Sequence, residues 1–222
     1  MRLTMDVQRA WMEGGPKIVL TRAIKKIVRP AFKTGSLWFF DCDLRKPMPE
    51  RRELQGIVIR EATKEDAVMF SDQAVFFERL SEGHRCFMGI EEATGKLTNY
   101  RWVSTMSAYI PELQRQLILQ PEEVYVYDLR TMPEFRRMGI DAYTRHCIYS
   151  YLRDTGYTTI YAYIHGDNRP SLNAGRTFLR PIGRVWYFQL RGCMPIVIGR
   201  RKPGLPELVK LPRLSKVRFH KS

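Results

Sequence analysis

Leu129-Arg130-Thr131-Met132-Pro133-Glu134-Phe135-Arg136-Arg137-Met138-Gly139-Ile140 is the stretch on which the reading of this chain turns. It leaves an alternating run, Glu123 to Thr131, in which Val124, Val126 and Asp128 share one face and Tyr125, Tyr127 and Leu129 the other. That period of two predicts a strand. Pro133 breaks it, and from about Gly139 to Thr155 the residues Ile140, Tyr143, Cys147, Ile148 and Tyr151 recur at helical spacing, with Gly156 as terminator. A short loop between a strand and a helix presents the first-turn N–H groups, which have no partner inside the helix, at the positive end of the helix dipole. Arg136 and Arg137 add guanidinium donors that match phosphate oxygens. Gly139 allows the backbone to approach a ligand without a Cβ in the way. Physically this is an anion-binding loop, and a pyrophosphate fits it.

The alternation of strands and helices extends outward from this stretch, from Gly56 to about Arg191. Ile57, Ile59 and Glu61 open a strand, and Thr63, with Asp66 three residues later, caps a helix carrying Val68, Phe70, Val75 and Phe76. Runs at 86–91 and 97–109 flank the turn Ala93-Thr94-Gly95-Lys96 as a hairpin. Thr158 to His165 reads as a strand, Asp167-Asn168-Arg169-Pro170 opens a short helix, and Arg184 to Leu190 is a late strand. Three regions follow. Residues 1–55 form an N-terminal extension, in which Leu20, Ala23, Ile24, Ile27 and Val28 among Lys17, Arg22, Lys25, Lys26 and Arg29 predict a basic amphipathic helix over 17–29. Pro30 ends that helix, and Ser36 to Phe40 suits a strand. Residues 56–199 make the folded domain, closed by a strand at 195–198, and 200–222 form an extended basic tail.

Thirty-seven Lys and Arg against 23 Asp and Glu give a formal net charge of +14. Such a balance favours an anionic partner and does not choose among nucleic acid, an acidic membrane surface and a phosphorylated ligand. A hydrophobic content of 44% excludes global disorder. No apolar run approaches the roughly 20 residues that cross a bilayer, and Met1 to Glu13 lacks a secretory pattern. Cys42, Cys86, Cys147 and Cys193 lie far apart with no Cys-x-x-Cys pair, so neither a zinc site nor a disulfide framework is expected. A cytoplasmic location is the expectation, peripheral to the membrane if the 17–29 helix lies on anionic lipid.

The strand, loop and helix at 123–155 resemble the signature of the GNAT acetyltransferase superfamily, matching it at Leu129, Pro133, Arg136, Gly139 and Ile140. Asn168, Ser171 and Arg180-Pro181-Ile182-Gly183 stand where the family pattern continues, so the resemblance covers approximately 56–191. It implies an α/β (α+β) fold with a central mixed, mostly antiparallel sheet flanked by helices. It also implies acetyl-CoA, or another acyl-CoA, as cosubstrate, direct transfer to an amine acceptor, and no metal. The cofactor-binding residues it implies are Leu129, Thr131, Arg136, Arg137, Met138, Gly139, Ile140, Asp141, Asn168 and Ser171. Backbone N–H groups near Leu129 and Thr131 would polarise the thioester carbonyl. Asp128 is the first candidate to take the proton of the amine and Glu123 the second. His165, Tyr161 and Tyr163 are candidates to line the acceptor groove.

Two departures from the family pattern stand out. Asp141 replaces the usual Gly or Ala two residues after the motif glycine, where a carboxylate competes with pyrophosphate for the same donors. Asn173, Ala174 and Gly175 stand where many relatives carry a tyrosine that protonates the thiolate, which leaves the general acid unassigned. Two other readings therefore stay open. One is a GNAT-fold binding module that holds nucleic acid or anionic membrane through its basic surface; the other is a transferase using long-chain acyl donors at a membrane. A homodimer is compatible with all of them.

Overall fold

The structure, a computed structural model, describes residues 32–48, 53–190, 193–199 and 206–210. The helix expected at 17–29 lies outside them. The first described element, β1 (Phe32–Asp43), carries Leu37, Phe39 and Phe40 fully or almost fully buried. Apolar side chains on both faces mark a strand from the middle of a sheet. The order β10-β9-β1-β8-β7-β4-β3-β2 confirms that position. The strands are β2 (Ile57–Glu61), β3 (Arg85–Glu91), β4 (Leu97–Ser104), β7 (Glu123–Thr131), β8 (Thr159–His165), β9 (Arg180–Leu190) and β10 (Ile196–Gly199). β7 and β8 run parallel, and every other neighbouring pair is antiparallel. The mixed, mostly antiparallel sheet predicted for the chain is thus present. The segment before residue 55 does more than extend it, because β1 sits between β8 and β9.

One face of the sheet is covered by α2 (Ile140–Asp154) and α3 (Arg169–Phe178). Ile148, Tyr149 and Leu152 of α2 pack on Phe87, Val103, Val124 and Val126. Gly175 lets α3 lie close to β8, since a Cβ there would sit 2.7 Å from Ile164 Cδ1. The opposite face is covered by α1 (Gln73–Ser81), whose Phe76 packs on Cys86, Met88 and Trp102. Beside α1 a second sheet, in the order β11-β6-β5, comprises β5 (Ala108–Ile110), β6 (Arg115–Ile118) and β11 (Glu207–Lys210). Its Ile110, Leu113 and Leu117 bury Leu37, Phe39, Tyr125 and Val185.

Local details differ from the sequence reading. The single helix expected after Thr63 is divided: a 3-10 turn, Lys64–Met69, ends at Phe70, and α1 starts anew with Asp72 accepting a bond from the Val75 N–H. The strand expected over 97–109 leaves the main sheet after Ser104, and its end, β5, belongs to the small one. Part of the basic tail, β11, pairs with β6.

The largest correction concerns β7. Its register with β4 runs Trp102↔Tyr127 and then Tyr100↔Arg130, so two residues, Asp128 and Leu129, stand opposite Arg101 alone. Asp128 has φ +45. This is a β-bulge, which bends a strand and re-aims a side chain. Val124 and Val126 therefore face α2 as expected, whereas Asp128 turns to the α1 side and meets Arg79.

Candidate functional site

β7 and β8 pair at Glu123↔Thr159, Val124↔Ile160 and Tyr125↔Tyr161, and beyond Tyr125 no pairing between them is formed. Among the described residues, the β8-facing edge of β7 from Val126 to Thr131 thus carries backbone groups without a strand partner. In open α/β sheets such a crevice beyond the carboxyl ends of parallel strands is where ligands bind. Both strands lead from that end into helices. β7 passes through Met132–Gly139 into α2, and β8 through Gly166–Asn168 into α3. Two helix N-termini therefore stand at the edge where the strands part.

The loop into α2 has the form that the sequence suggested. Pro133–Phe135 make a 3-10 turn with Phe135 buried, and Arg136 Nε donates to the Thr131 carbonyl at 3.2 Å, folding the loop back over the strand end. Arg137 and Gly139 both take positive φ, +65 and +79. A Cβ on Gly139 would meet nothing within 4 Å, so glycine is required there by the dihedral and not by crowding. Gly139 is the N-cap of α2 and offers no side-chain cap. Among the described residues, the backbone N–H groups of Met138, Ile140 and Asp141 have no acceptor. Met138 is exposed beside them. A helix terminus with open donors is a place that suits an anion.

Asp141 does not compete for those donors. Its carboxylate lies between Arg101 of β4, 2.9 Å away, and Arg145 of α2. Arg101 is 3% exposed, and among the described residues its Nε has no hydrogen-bond partner. Asp141 thus neutralises a buried guanidinium and ties the first turn of α2 to the sheet. Asn99 and Thr144 make a second buried tie, exchanging bonds of 2.9 and 3.2 Å. At α3, Asn168 is the N-cap and accepts a bond from the Ser171 N–H at 3.2 Å. Both residues therefore stand at the second helix terminus.

The two carboxylates of β7 are not brought together. Asp128 lines a cleft of about 180 Å³ between α1 and the sheet, with Phe70, Tyr100, Trp102 and Arg130. Arg79 donates to Asp128 while lying over the rings of Trp102 and Tyr127, 5.0 and 5.1 Å from their centroids. Glu123 lies five residues back, about 17 Å of extended strand, at the end where β7 and β8 are paired. It accepts bonds from Tyr161 Oη at 3.0 Å and the Gln120 N–H at 2.9 Å. Tyr163 and His165 converge instead on Glu112 of the β5–β6 turn, each at 3.0 Å.

A pair that the sequence did not signal stands beside Asp128. Tyr127 and His84 share a hydrogen bond. Burial pushes the Tyr127 phenol above its ordinary range and the His84 imidazole below its own, so both are neutral at pH 7. α3 carries no tyrosine. A larger cavity, about 320 Å³, lies between α2 and the C-terminal end of α3, lined by Cys42, Met48, Arg145, Tyr149 and Phe178. It adjoins Asp41 and Asp43, which are in register with the start of β8, away from the parting strands. Its Asp41 is already paired with Arg180. The bulge, with Asp128, opens on the smaller cleft. Among the described residues no cluster of His, Cys, Asp and Glu could hold a metal.

The same arrangement of sheet and helices occurs in solved structures. A tandem GNAT protein from the clavulanic acid biosynthesis pathway is 16% identical, with a TM-score of 0.51 over 78% of this chain and 59% of its own. A GCN5-related N-acetyltransferase from Sphaerobacter thermophilus is 14% identical, with a TM-score of 0.51 over 76% of this chain and 55% of its own. The chain has the GNAT fold. It spans a little more than half the length of those GNAT structures, and at such identities the likeness establishes the fold alone. No family model matches the chain, and no curated protein matches it in sequence.

Proposed function

We propose that this GNAT-fold protein is an acyl-CoA-dependent N-acyltransferase, with acetyl-CoA the first donor to test. The observation that carries the reading is the parting of β7 from β8 at the bulge, directly before an uncapped helix N-terminus. Donors at Arg137 to Asp141, with the guanidinium groups of Arg136 and Arg137, fit a pyrophosphate. Leu129 and Thr131, on the unpaired edge of β7, would offer N–H groups to the thioester carbonyl, where negative charge develops as the amine attacks. Asn168 and Ser171 would face the same ligand from α3.

In the transfer itself the acceptor nitrogen bonds to the carbonyl carbon, the carbon–sulfur bond breaks, and sulfur leaves as thiolate. An ammonium acceptor must first lose a proton. Asp128, which the bulge turns into the cleft, would receive it. Arg79 holds that carboxylate in one orientation. Glu123 takes no part.

Thiol release from acetyl-CoA in the presence of a panel of primary amines tests the proposal. Turnover that disappears in Asp128→Asn supports it. Binding of acyl-CoA with no turnover of any amine would favour the binding-module reading instead.

A further inference from the structure

The face of β9 and β10 on the helix side of the sheet is apolar and lies beyond α3. Trp186 is in register with Ile198, and Phe188 with Ile196, so these four side chains share one face. Leu190 continues the row along β9. All five are exposed, Ile196 at 61% and Ile198 at 67%. A contiguous group of large apolar side chains on two adjacent strands marks an interaction surface. β10 is also the last strand of the sheet. Toward α3 the group is edged by guanidinium. Arg184 lies over the rings of both Trp186 and Trp38, at 4.6 and 5.1 Å, and Arg176 over Trp38 at 5.1 Å.

The helix and strands that build this face, α3, β9 and β10, lie in a stretch of sequence without acids. No acid occurs from Gly14 to Phe40, a stretch with six Lys and Arg that runs into β1. None occurs from Asn168 to Pro206, a stretch with eight that holds α3, β9 and β10. Those fourteen cations equal the net charge of +14, since the other 23 Lys and Arg are matched by the 23 Asp and Glu. The excess positive charge of the sequence thus falls in two stretches, one running into β1 and one containing α3, β9 and β10.

We infer that the β9–β10 face docks on an anionic lipid membrane. Trp186, Phe188, Leu190, Ile196 and Ile198 would enter the boundary between headgroups and acyl chains, where aromatic and aliphatic side chains are favoured. The arginines at the rim, Arg176 and Arg184, would meet the lipid phosphates, each cation adding to the attraction. Three aliphatic side chains among the five, with no hydrogen-bonding group, fit acyl chains better than nucleic-acid bases. The inference is independent of the proposed activity and holds whether or not the cleft at Asp128 is catalytic.

Co-sedimentation of the full chain with vesicles tests it, using phosphatidylcholine alone and phosphatidylcholine with 30% phosphatidylserine. The expected result is binding to the anionic vesicles, weakened by 0.5 M salt. Binding should fall at least tenfold in the double variant Ile196→Ser, Ile198→Ser, whose side chains are exposed and whose circular dichroism should be unchanged. Arg176→Glu should weaken binding to the anionic vesicles without altering it on neutral lipid. Absence of wild-type binding to anionic vesicles overturns the inference, as does undiminished binding by the serine variant. A wild-type dimer that the serine variant converts to monomer would assign the face to a second copy of the chain. Tighter binding to single-stranded RNA, lost in the serine variant, would assign it to nucleic acid.

Discussion

β7 has a carboxylate at each end, and the two ends differ in almost every respect. At Glu123 the strand is paired with β8 and the carboxylate is held by a phenol and a backbone N–H. At Asp128 the strand is bulged, unpaired toward β8 and turned to positive φ, with the carboxylate in a cleft facing one arginine. The same strand thus holds one carboxylate beside a paired ladder and presents the other to a cleft. The difference lies in the register of the neighbours and not in residue type.

Four substitutions break or sharpen that contrast. The largest effect is expected at Asp141, which lies at the open end of the strand pair yet serves the fold. Asp141→Ala leaves Arg101 buried with its charge uncompensated, which costs about 3–5 kcal/mol. For a chain of this size that is a fall in Tm of roughly 10 °C, readable by calorimetry. Asp128→Asn should act in the opposite manner, lowering kcat about 100-fold with Tm nearly unchanged. A comparable loss of Tm in this variant would mean that Asp128 is structural, like Glu123. Gly139→Val forces a β-branched residue to φ +79, at a cost of about 1–2 kcal/mol, and should weaken acyl-CoA binding about tenfold. The smallest effect belongs to Glu123→Gln. It should lose about 1 kcal/mol of stability from its hydrogen bonds and leave kcat within twofold, as checked by thermal melts and steady-state rates.

What the sequence disclosed follows the range over which each feature is determined. The strand, loop and helix at 123–155 are local, and periodicity with Pro133, Gly139 and Gly156 placed them closely. The bulge escaped because the run Val124 to Leu129 alternates without a break, and the extra residue is visible only against Trp102 and Tyr100 of β4. The place of β1 between β8 and β9 escaped for a similar reason. Ser36 to Phe40 reads as a strand, but nothing in its pattern names its neighbours. Asp141 read as a rival for phosphate because its partner Arg101 is forty residues away and becomes adjacent only when α2 lies on β4. Asn168 was legible as a cap because the bond to the Ser171 N–H spans three residues. The His84–Tyr127 pair links a turn to a strand 43 residues on and left no trace in local spacing.

The most direct measurement is an isothermal titration of acetyl-CoA into the wild-type chain and into Arg136→Ala, Gly139→Glu. The account predicts micromolar binding to the wild type, competed by free CoA, and no detectable binding to the variant, which would place a carboxylate at the open donors of α2. Failure of the wild type to bind acetyl-CoA or any longer acyl-CoA, or equal binding by the variant, would contradict it.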